Sequence, residues 1–280
     1  MKTTRWFWCS VVLLLAAAAA AWGQEATGDK VTVPLSDPSR PALVKVGLIS
    51  GGITVQAYDG KEVVVQASAR EDRRRAGRER SEQTQGMKRI INTATGLTAS
   101  EDNNVVDIGT QSYQRAIDLS IQVPRKSNLK LHTVNDGDIK VDQVQGEIEV
   151  EDINGSVTLT NISGSAVVHA LNGEIVVTFA EVTPGKPMSF SSMNGKMDVT
   201  FPPSLKANLV MKTDNGEIFS DFDVQVQPNA TKPIIEDTRG KGGKYKIKLE
   251  KAVYGTINGG GPEIQFKGFN GDIYIRKSGK

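Results

Sequence analysis

The sequence predicts an all-β fold of the β-solenoid (β-helix-like) type, built from nine-residue strand-corner units with two or more strands in each coil. Two observations predict it. Glycine recurs every nine residues, at Gly137, Gly146, Gly155, Gly164 and Gly173. An apolar residue stands two positions and again four positions after each of these glycines. This alternation is typical of a half-buried strand, in which successive side chains point to opposite faces.

A third apolar residue bears on the topology. It stands seven positions after four of the glycines, at Val144, Ile153, Ile162 and Leu171. In a straight strand the odd step from the fourth to the seventh position would turn this side chain to the opposite face. If the chain bends at each corner, all three positions face one interior and two units form one stacked coil. A meander of hairpins is the alternative, because Asn-Gly is a strong hairpin signal.

The first 23 residues have the three parts of a secretory signal peptide. Lys2 and Arg5 precede an apolar run at 11–21, and Ala21-Trp22-Gly23 is a small-x-small cleavage site. The run is shorter than the roughly 20 residues that span a membrane. We therefore expect an exported protein that is periplasmic, secreted or at the cell surface, with no transmembrane segment after cleavage. An uncleaved anchor is the alternative, because the flanking residues from Trp6 lengthen the apolar run.

Removal of this segment changes the composition of the chain. The whole chain has 34 Lys+Arg and 32 Asp+Glu, and two of the basic residues lie in the first 23. The remainder has balanced charge and lacks both cysteine and tryptophan, since Cys9 is the single cysteine. Disulfides and thiolate chemistry are therefore excluded. Nucleic acid is not expected as a partner, because nucleic-acid binders carry a positive excess.

The rest of the chain divides into a lead-in and one domain. Residues 24–42 are polar and contain three prolines, so they predict a linker or lead-in. Residues 43–280 predict the solenoid domain, in which Gly195, Gly216 and Gly271 extend the corner pattern at wider spacing. Glycine and asparagine at such corners tolerate a positive φ. A charged insertion at about 70–87 has no apolar face and interrupts the β pattern.

Further motifs surround the repeat. The sequence IQVP at 121–124 precedes LKLHT at 129–133 and the G-x-[IV]-x-V units from Gly137, and LISGGITV stands at 48–55. Together they resemble the bacterial family of adhesin-like β-strand-repeat proteins, a domain of unknown function, over roughly residues 43–280. The resemblance implies an exported or surface-exposed, single-stranded, right-handed β-solenoid. It supplies no catalytic motif, and the charged insertion departs from the family pattern.

Catalytic and metal-binding signals are weak throughout the sequence. The glycine units lack the regular oxygen ligands of a calcium-binding repeat. His132 and His169 have no metal-ligand spacing. Asp136 with Asp138, and Glu149 with Glu151, are predicted to share a strand face. Coil stacking would place a column of acidic, basic and polar side chains on the surface: Asp138, Ser156, Glu174, Lys196 and Glu217. Such charged faces are ordinarily solvated. We expect no catalytic, cofactor or metal residues.

One strand is a candidate for anion binding. In the sequence KYKIKL at 244–249, alternation places Lys244, Lys246 and Lys248 on one face. A basic stripe would attract an anionic glycan, a polymer or a lipid headgroup. The alternative is structural, because lysines also protect an exposed strand edge from unwanted pairing.

The sequence therefore predicts an exported, non-catalytic, adhesin-like binding or scaffold module at the cell envelope. Its partner would be an envelope or extracellular glycan, or a protein. One alternative is an enzyme acting on an envelope or extracellular polysaccharide, although the chain after residue 23 lacks tryptophan and so has few aromatic side chains for stacking on sugars. A second alternative is an envelope-stress accessory protein.

Overall fold

The fold was analysed in a computed structural model. The structure describes residues 28–70, 94–112, 115–227, 233–237, 245–249 and 252–279. The predicted signal peptide and all of the charged insertion except Arg70 lie outside these residues. The described part is all-β and contains no helix. In that part, no helix is therefore long and apolar enough to cross a membrane.

The strands are short, as expected for a chain that turns at frequent corners. In the first half of the chain they are β1 (Asp29–Pro34), β2 (Ala42–Ser50), β3 (Ile53–Tyr58), β4 (Glu62–Ala69), β5 (Leu97–Asp102), β6 (Val105–Thr110), β7 (Ile117–Pro124), β8 (Ser127–Asn135), β9 (Ile139–Asp142), β10 (Gln145–Asp152) and β11 (Val157–Ala170). In the second half they are β12 (Ile175–Val182), β13 (Met188–Asn194), β14 (Met197–Phe201), β15 (Ala207–Lys212), β16 (Ile218–Ser220), β17 (Gln225–Val226), β18 (Pro233–Asp237), β19 (Tyr245–Leu249), β20 (Val253–Ile257), β21 (Glu263–Asn270) and β22 (Ile273–Lys277).

Most strands lie in two ladders of parallel strands. Ladder A contains, in spatial order, β6, β2, β8, β10, the second half of β11, β13, β21 and β15. Ladder B contains β7, β3, β9, the first half of β11, β12, β14, β22 and β16. Ile139 pairs with Val157, which pairs with Ile175, and each step is one 18-residue coil. The arrangement is β-solenoid-like.

The ends of the stack depart from the predicted uniform winding. Strand β2 lies between β6 and β8, and β21 lies between β13 and β15, so spatial order differs from chain order. Antiparallel strands border the ladders: β4 and β1 beside β7, β5 beside β6, and β20 and β17 beside β15. These strands pair backbone groups that the outermost parallel strands would otherwise expose. They lack the glycine repeat, so the repeat did not predict the mixed strand orientation.

Alternate nine-residue units bury different positions. The apolar residues two and four positions after the glycines are buried, as in Ile139 and Val141. At the seventh position Val144 and Ile162 are buried, but Ile153 and Leu171 are half-exposed, which corrects the prediction that all four face the interior. The buried pair follows a bend with a positive-φ residue, which is Gln143 or Asn161. No positive-φ residue precedes the half-exposed pair, so the strand alternation continues outward there.

The corner from ladder A to ladder B stacks glycine on glycine. The column runs through Gly51, Gly137, Gly155, Gly173, Gly195, Gly271 and Gly216. A Cβ atom on Gly173 would overlap the carbonyl oxygen of Gly155 in the neighbouring coil. The expected positive φ occurs in this column at Gly51 and Gly271, whereas the other positions require glycine because two backbones approach closely.

Gly146 and Gly164 belong to a different corner. They pair with each other where the chain enters ladder A, and Gly164 has a φ of 128°. A Cβ atom on Gly164 would also overlap the carbonyl oxygen of Gly146. The nine-residue glycine spacing therefore combines two structurally different positions, each of which recurs once per coil.

Gly173→Ala is expected to destabilise the fold by about 1–3 kcal/mol, because the new methyl group meets backbone that cannot move without disturbing the ladder. Gly47→Ala is the matched control, because a Cβ there has nothing within 4 Å and lies on an exposed face. It should change stability by less than about 0.5 kcal/mol. Urea unfolding measures both, and equal losses would contradict the backbone-overlap explanation.

Candidate functional site

The outer corner between the ladders carries a continuous asparagine ladder. Its members occupy one position on successive coils: Asn135, Asn154, Asn172, Asn194, Asn270 and Asn215. From Asn154 onward, each Nδ2 donates to the Oδ1 of the preceding asparagine in this order, as from Asn172 to Asn154 at 3.0 Å and from Asn194 to Asn172 at 2.8 Å. The amide dipoles therefore align along the stack, and they fix the edge of the corner.

The predicted column of acidic and basic side chains lies next to the asparagines, at the start of the ladder B strands. Lys196 Nζ contacts Glu174 Oε2 at 3.1 Å, and the backbone N–H of Ser156 donates to Asp138 Oδ1 at 3.0 Å. The structure adds Asp272 between Lys196 and Glu217, because β22 lies between β14 and β16. Several carboxylates thus bond to backbone or lysine, which is a structural use of their charge.

The carboxylate pairs chosen from the sequence have different environments. Asp136 has a φ of 57°, and both Asp136 and Asp138 lie in the corner between β8 and β9, so they do not share a strand face. Glu149 and Glu151 both point outward from β10, as expected. Glu149 pairs with Lys130 at 2.8 Å, and Glu151 lies 3.4 Å from His132 Nδ1. Neither pair has the geometry of two converging carboxyl groups.

A polar column lies inside the corner, just before the asparagines. Three hydroxyl groups donate across coils to glycine carbonyl oxygens, each at 3.0 Å: Thr133 to Gly51, Ser192 to Gly173 and Thr213 to Gly271. Asp152 occupies the corresponding position, in register with Thr133 on β8. Position and burial therefore place a carboxyl group where other coils use a hydroxyl donor.

Asp152 is fully buried, and neither of its carboxyl oxygens has a hydrogen bond of good geometry among the described residues. Its pKa is raised to about 7, chiefly because burial disfavours the charged form. The charge of Asp138 acts in the same direction, and the backbone N–H groups of Asn154 and Gly155 oppose it. The protonated acid is a donor, as the neighbouring hydroxyls are.

Asp152→Asn is expected to stabilise the fold increasingly as pH rises. The unfolded carboxyl ionises near pH 4 and the folded one near pH 7, so the native protein loses stability between these values. The advantage of the neutral amide should grow by about 2–3 kcal/mol between pH 5 and pH 8. Urea unfolding at both pH values measures it. The exposed Asp223→Asn is the control, and a pH-independent difference for Asp152→Asn would contradict ionisation as the cause.

Both histidines lie in one outward row of ladder A. The row runs across four adjacent strands, through His132, Glu151, His169 and Ser191. His169 Nδ1 is hydrogen bonded to Ser191 Oγ at 2.5 Å. The sequence prediction missed this row, because these residues are 18 to 22 positions apart. The coil period was the signal that could have found it. Among the described residues no group of three or more His, Cys, Asp or Glu could hold a metal ion.

A shallow, open depression of about 420 Å³ lies where strands β14, β22 and β16 of ladder B end. Thr200, Asp221 and Arg276 line it together with residues 277–279. Arg276 makes two hydrogen bonds to Asp198, at 2.6 and 3.0 Å, so its charge is already paired. The depression therefore lacks a converging set of unpaired charged groups.

The predicted lysine stripe lies in a separate hairpin. Lys246 and Lys248 occupy alternate positions of β19, opposite Glu236 and Ile234 of β18. Lys244 lies outside the described residues. Within the described part of the chain, β18 and β19 form a two-stranded sheet of their own. Each strand therefore has an unpaired edge there, which suits both the anion-binding and the edge-protecting hypotheses.

The two ladders and their glycine corners match a known family over most of the chain. The family model described as Toastrack DUF4097 matches residues 44–258. The chain belongs to the Toastrack family. As a Toastrack protein it has the β-strand-repeat character that the sequence motifs predicted, and the family is a domain of unknown function. No curated protein matches the chain.

Two solved structures are distantly similar to this Toastrack chain. One is a proposed cell adhesion protein from Clostridium sporogenes, with 11% identity and a TM-score of 0.46, covering 90% of this chain and 100% of its own. The other is a proposed adhesin from Bacteroides fragilis, with 11% identity and a TM-score of 0.36, covering 89% and 96%. At this low similarity neither structure assigns a ligand to the Toastrack chain.

Proposed function

We propose that the protein is an exported, non-catalytic, adhesin-like binding or scaffold module at the cell envelope. The observation that carries the proposal is the regularity of its outer faces. In the described part, eight coils stack about 4.8 Å apart, so each ladder presents rows of side chains at constant spacing. An extended partner, either a glycan or a protein, is the kind of ligand that a repetitive surface suits.

The proposal includes the domain organisation expected from the sequence. Residues 1–23 would direct export and be removed, 24–42 would lead into the domain, and 43–280 would form the binding module. The coils would wind in the right-handed sense, with the two kinds of glycine corner as half-coil units. Strand β1 falls within the lead-in, where it pairs with β4, so the lead-in would help to cover one end of the stack.

The alternative, an enzyme acting on a polysaccharide, is favoured by one observation. Ser191, His169 and Glu151 lie in one row, which places a hydroxyl, an imidazole and a carboxylate on neighbouring strands. However, the row lies on an outward sheet face of ladder A. The depression described above lies on ladder B, so it does not enclose the row. A substrate there would stay in water, where electrostatic stabilisation is weak. Ser191→Ala is therefore expected to leave polymer binding unchanged.

The first test is direct binding. The protein purified in its exported form is incubated with glycans, peptidoglycan, lipopolysaccharide and anionic lipid vesicles, at low and at physiological salt. Saturable binding that survives physiological salt would support a recognition module. Absence of binding to every ligand, with no protein crosslinked to it in the envelope, would contradict the proposal.

The lysine stripe is tested separately. Replacing Lys244, Lys246 and Lys248 together by Gln is expected to weaken binding to anionic polymers about tenfold or more at low salt. The expected effect shrinks at physiological salt, because exposed charges are screened there. Lys30 and Lys61, which lie outside the hairpin, provide a control double Gln variant. Unchanged binding at low salt would leave the stripe with the edge-protecting role alone.

A further inference from the structure

An apolar stripe crosses the outer face of ladder A, one position before the asparagine ladder. It contains one outward side chain from each of six adjacent coils, on a ladder A strand or directly after it: Ile49, Val134, Ile153, Leu171, Met193 and Phe269. Ile49, Met193 and Phe269 are 45–47% exposed, and the other three are half-buried. The sequence analysis predicted that Ile153 and Leu171 face the interior, so it did not reveal the stripe.

The size of the stripe limits what it can bind. Six strands spaced by about 4.8 Å give a length of about 24 Å. The stripe is one side chain wide, so it offers a few hundred Å² at most. A stable dimer buries about 800 Å² on each partner, which a second copy docked here alone would not reach. A single helix of about 16 residues has the required length, at 1.5 Å per residue.

The charged residues around the stripe determine whether a partner should be basic or acidic. On the far side of the asparagines the ladder B row contains Asp138, Glu174, Asp272 and Glu217 against Lys196, and Arg70 lies near Asp138 at one end of the row. Asp214 is exposed in register with Phe269 at one end of the stripe. On the other flank the row through His132, Glu151, Lys267 and Lys212 carries both signs. The net field along the corner is therefore negative on the ladder B side.

We propose that the apolar stripe and the acidic row beside it form a docking surface for a basic amphipathic helix of a partner protein, lying along the stack of coils. Apolar residues three and four positions apart on a helix are about 5–6 Å from each other, close to the spacing of the rows. Lysine or arginine on one flank of that helix would face Asp272 and Glu217. The inference rests on the proposed binding function and names its surface and partner class.

The stripe chemistry favours a helix over a glycan. Five of its six side chains are aliphatic, whereas sugar rings stack best on aromatic faces. The asparagine amides already bond to one another along the ladder, which leaves fewer groups for sugar hydroxyls. A helix requires only apolar contact at the stripe and opposite charge beside it.

The test uses two labelled 16-residue peptides, and fluorescence anisotropy against the whole exported protein at physiological salt. One contains Leu and Lys in an amphipathic helical pattern, and its twin has Glu at every Lys position. The Leu/Lys peptide is expected to bind at least tenfold more tightly than the twin. Met193→Ser with Phe269→Ser should weaken its binding at least tenfold. Asp214→Asn with Glu217→Gln should weaken it about threefold to tenfold, with the loss greater at low salt.

The control variant changes exposed apolar residues outside the stripe. Val31→Ser with Val226→Ser removes side chains that are 39% and 56% exposed, and peptide binding should be unchanged. Equal binding of both peptides, no binding of either, or an unaffected Met193/Phe269 variant would overturn the proposal. A neutral glycan that binds and is lost in that variant would also overturn it, in favour of a glycan site. Ligand binding from the first panel that survives the variant would leave the general binding function standing while this inference fails.

Discussion

The fold depends on the close backbone approach at the corner between the two ladders. Glycine lies on glycine there, and the asparagine side chain beside each glycine is hydrogen bonded to its counterpart in the adjacent coil. Both contacts repeat once per coil, so they set the register of the parallel strands on either side. The buried aliphatic side chains then pack in columns, because residues in register have similar shapes. Backbone geometry at one edge thereby determines the packing of the whole interior.

The same corner concentrates the polar features of the molecule. Its inner side contains hydroxyl donors and the buried Asp152, its edge contains the asparagines, and its outer flanks contain the apolar stripe and the acidic row. The arrangement follows from strand alternation, which sends neighbouring residues alternately inward and outward. A carboxyl group in the inner column is compatible with the fold in its neutral form, which connects stability to pH.

The sequence predicted the all-β class, the stacked coils and the family character, because the repeat reports directly on strands and corners. It predicted less well where two kinds of corner shared one spacing. Val144 and Ile153 occupy the same repeat position, yet a positive-φ residue turns only the first inward. The order of the end coils was also beyond the repeat, since β21 and β22 pair through long-range contacts. The surface row through His132 and His169 becomes visible only when residues one coil apart are compared.

The position of the last coil has a consequence for how the molecule is assembled. Strands β21 and β22 lie between the coil of β13 and β14 and the coil of β15 and β16. A chain that emerges from its N-terminus can therefore stack coils only as far as β14. The coil of β15 and β16 cannot stack until residues 263–277 are made. Those residues then lie between that coil and the coil of β13 and β14, which precedes it in the sequence. Completion of the stack thus requires synthesis of residues 263–277, and a chain that stops short of them has an open ladder end where other strands can pair.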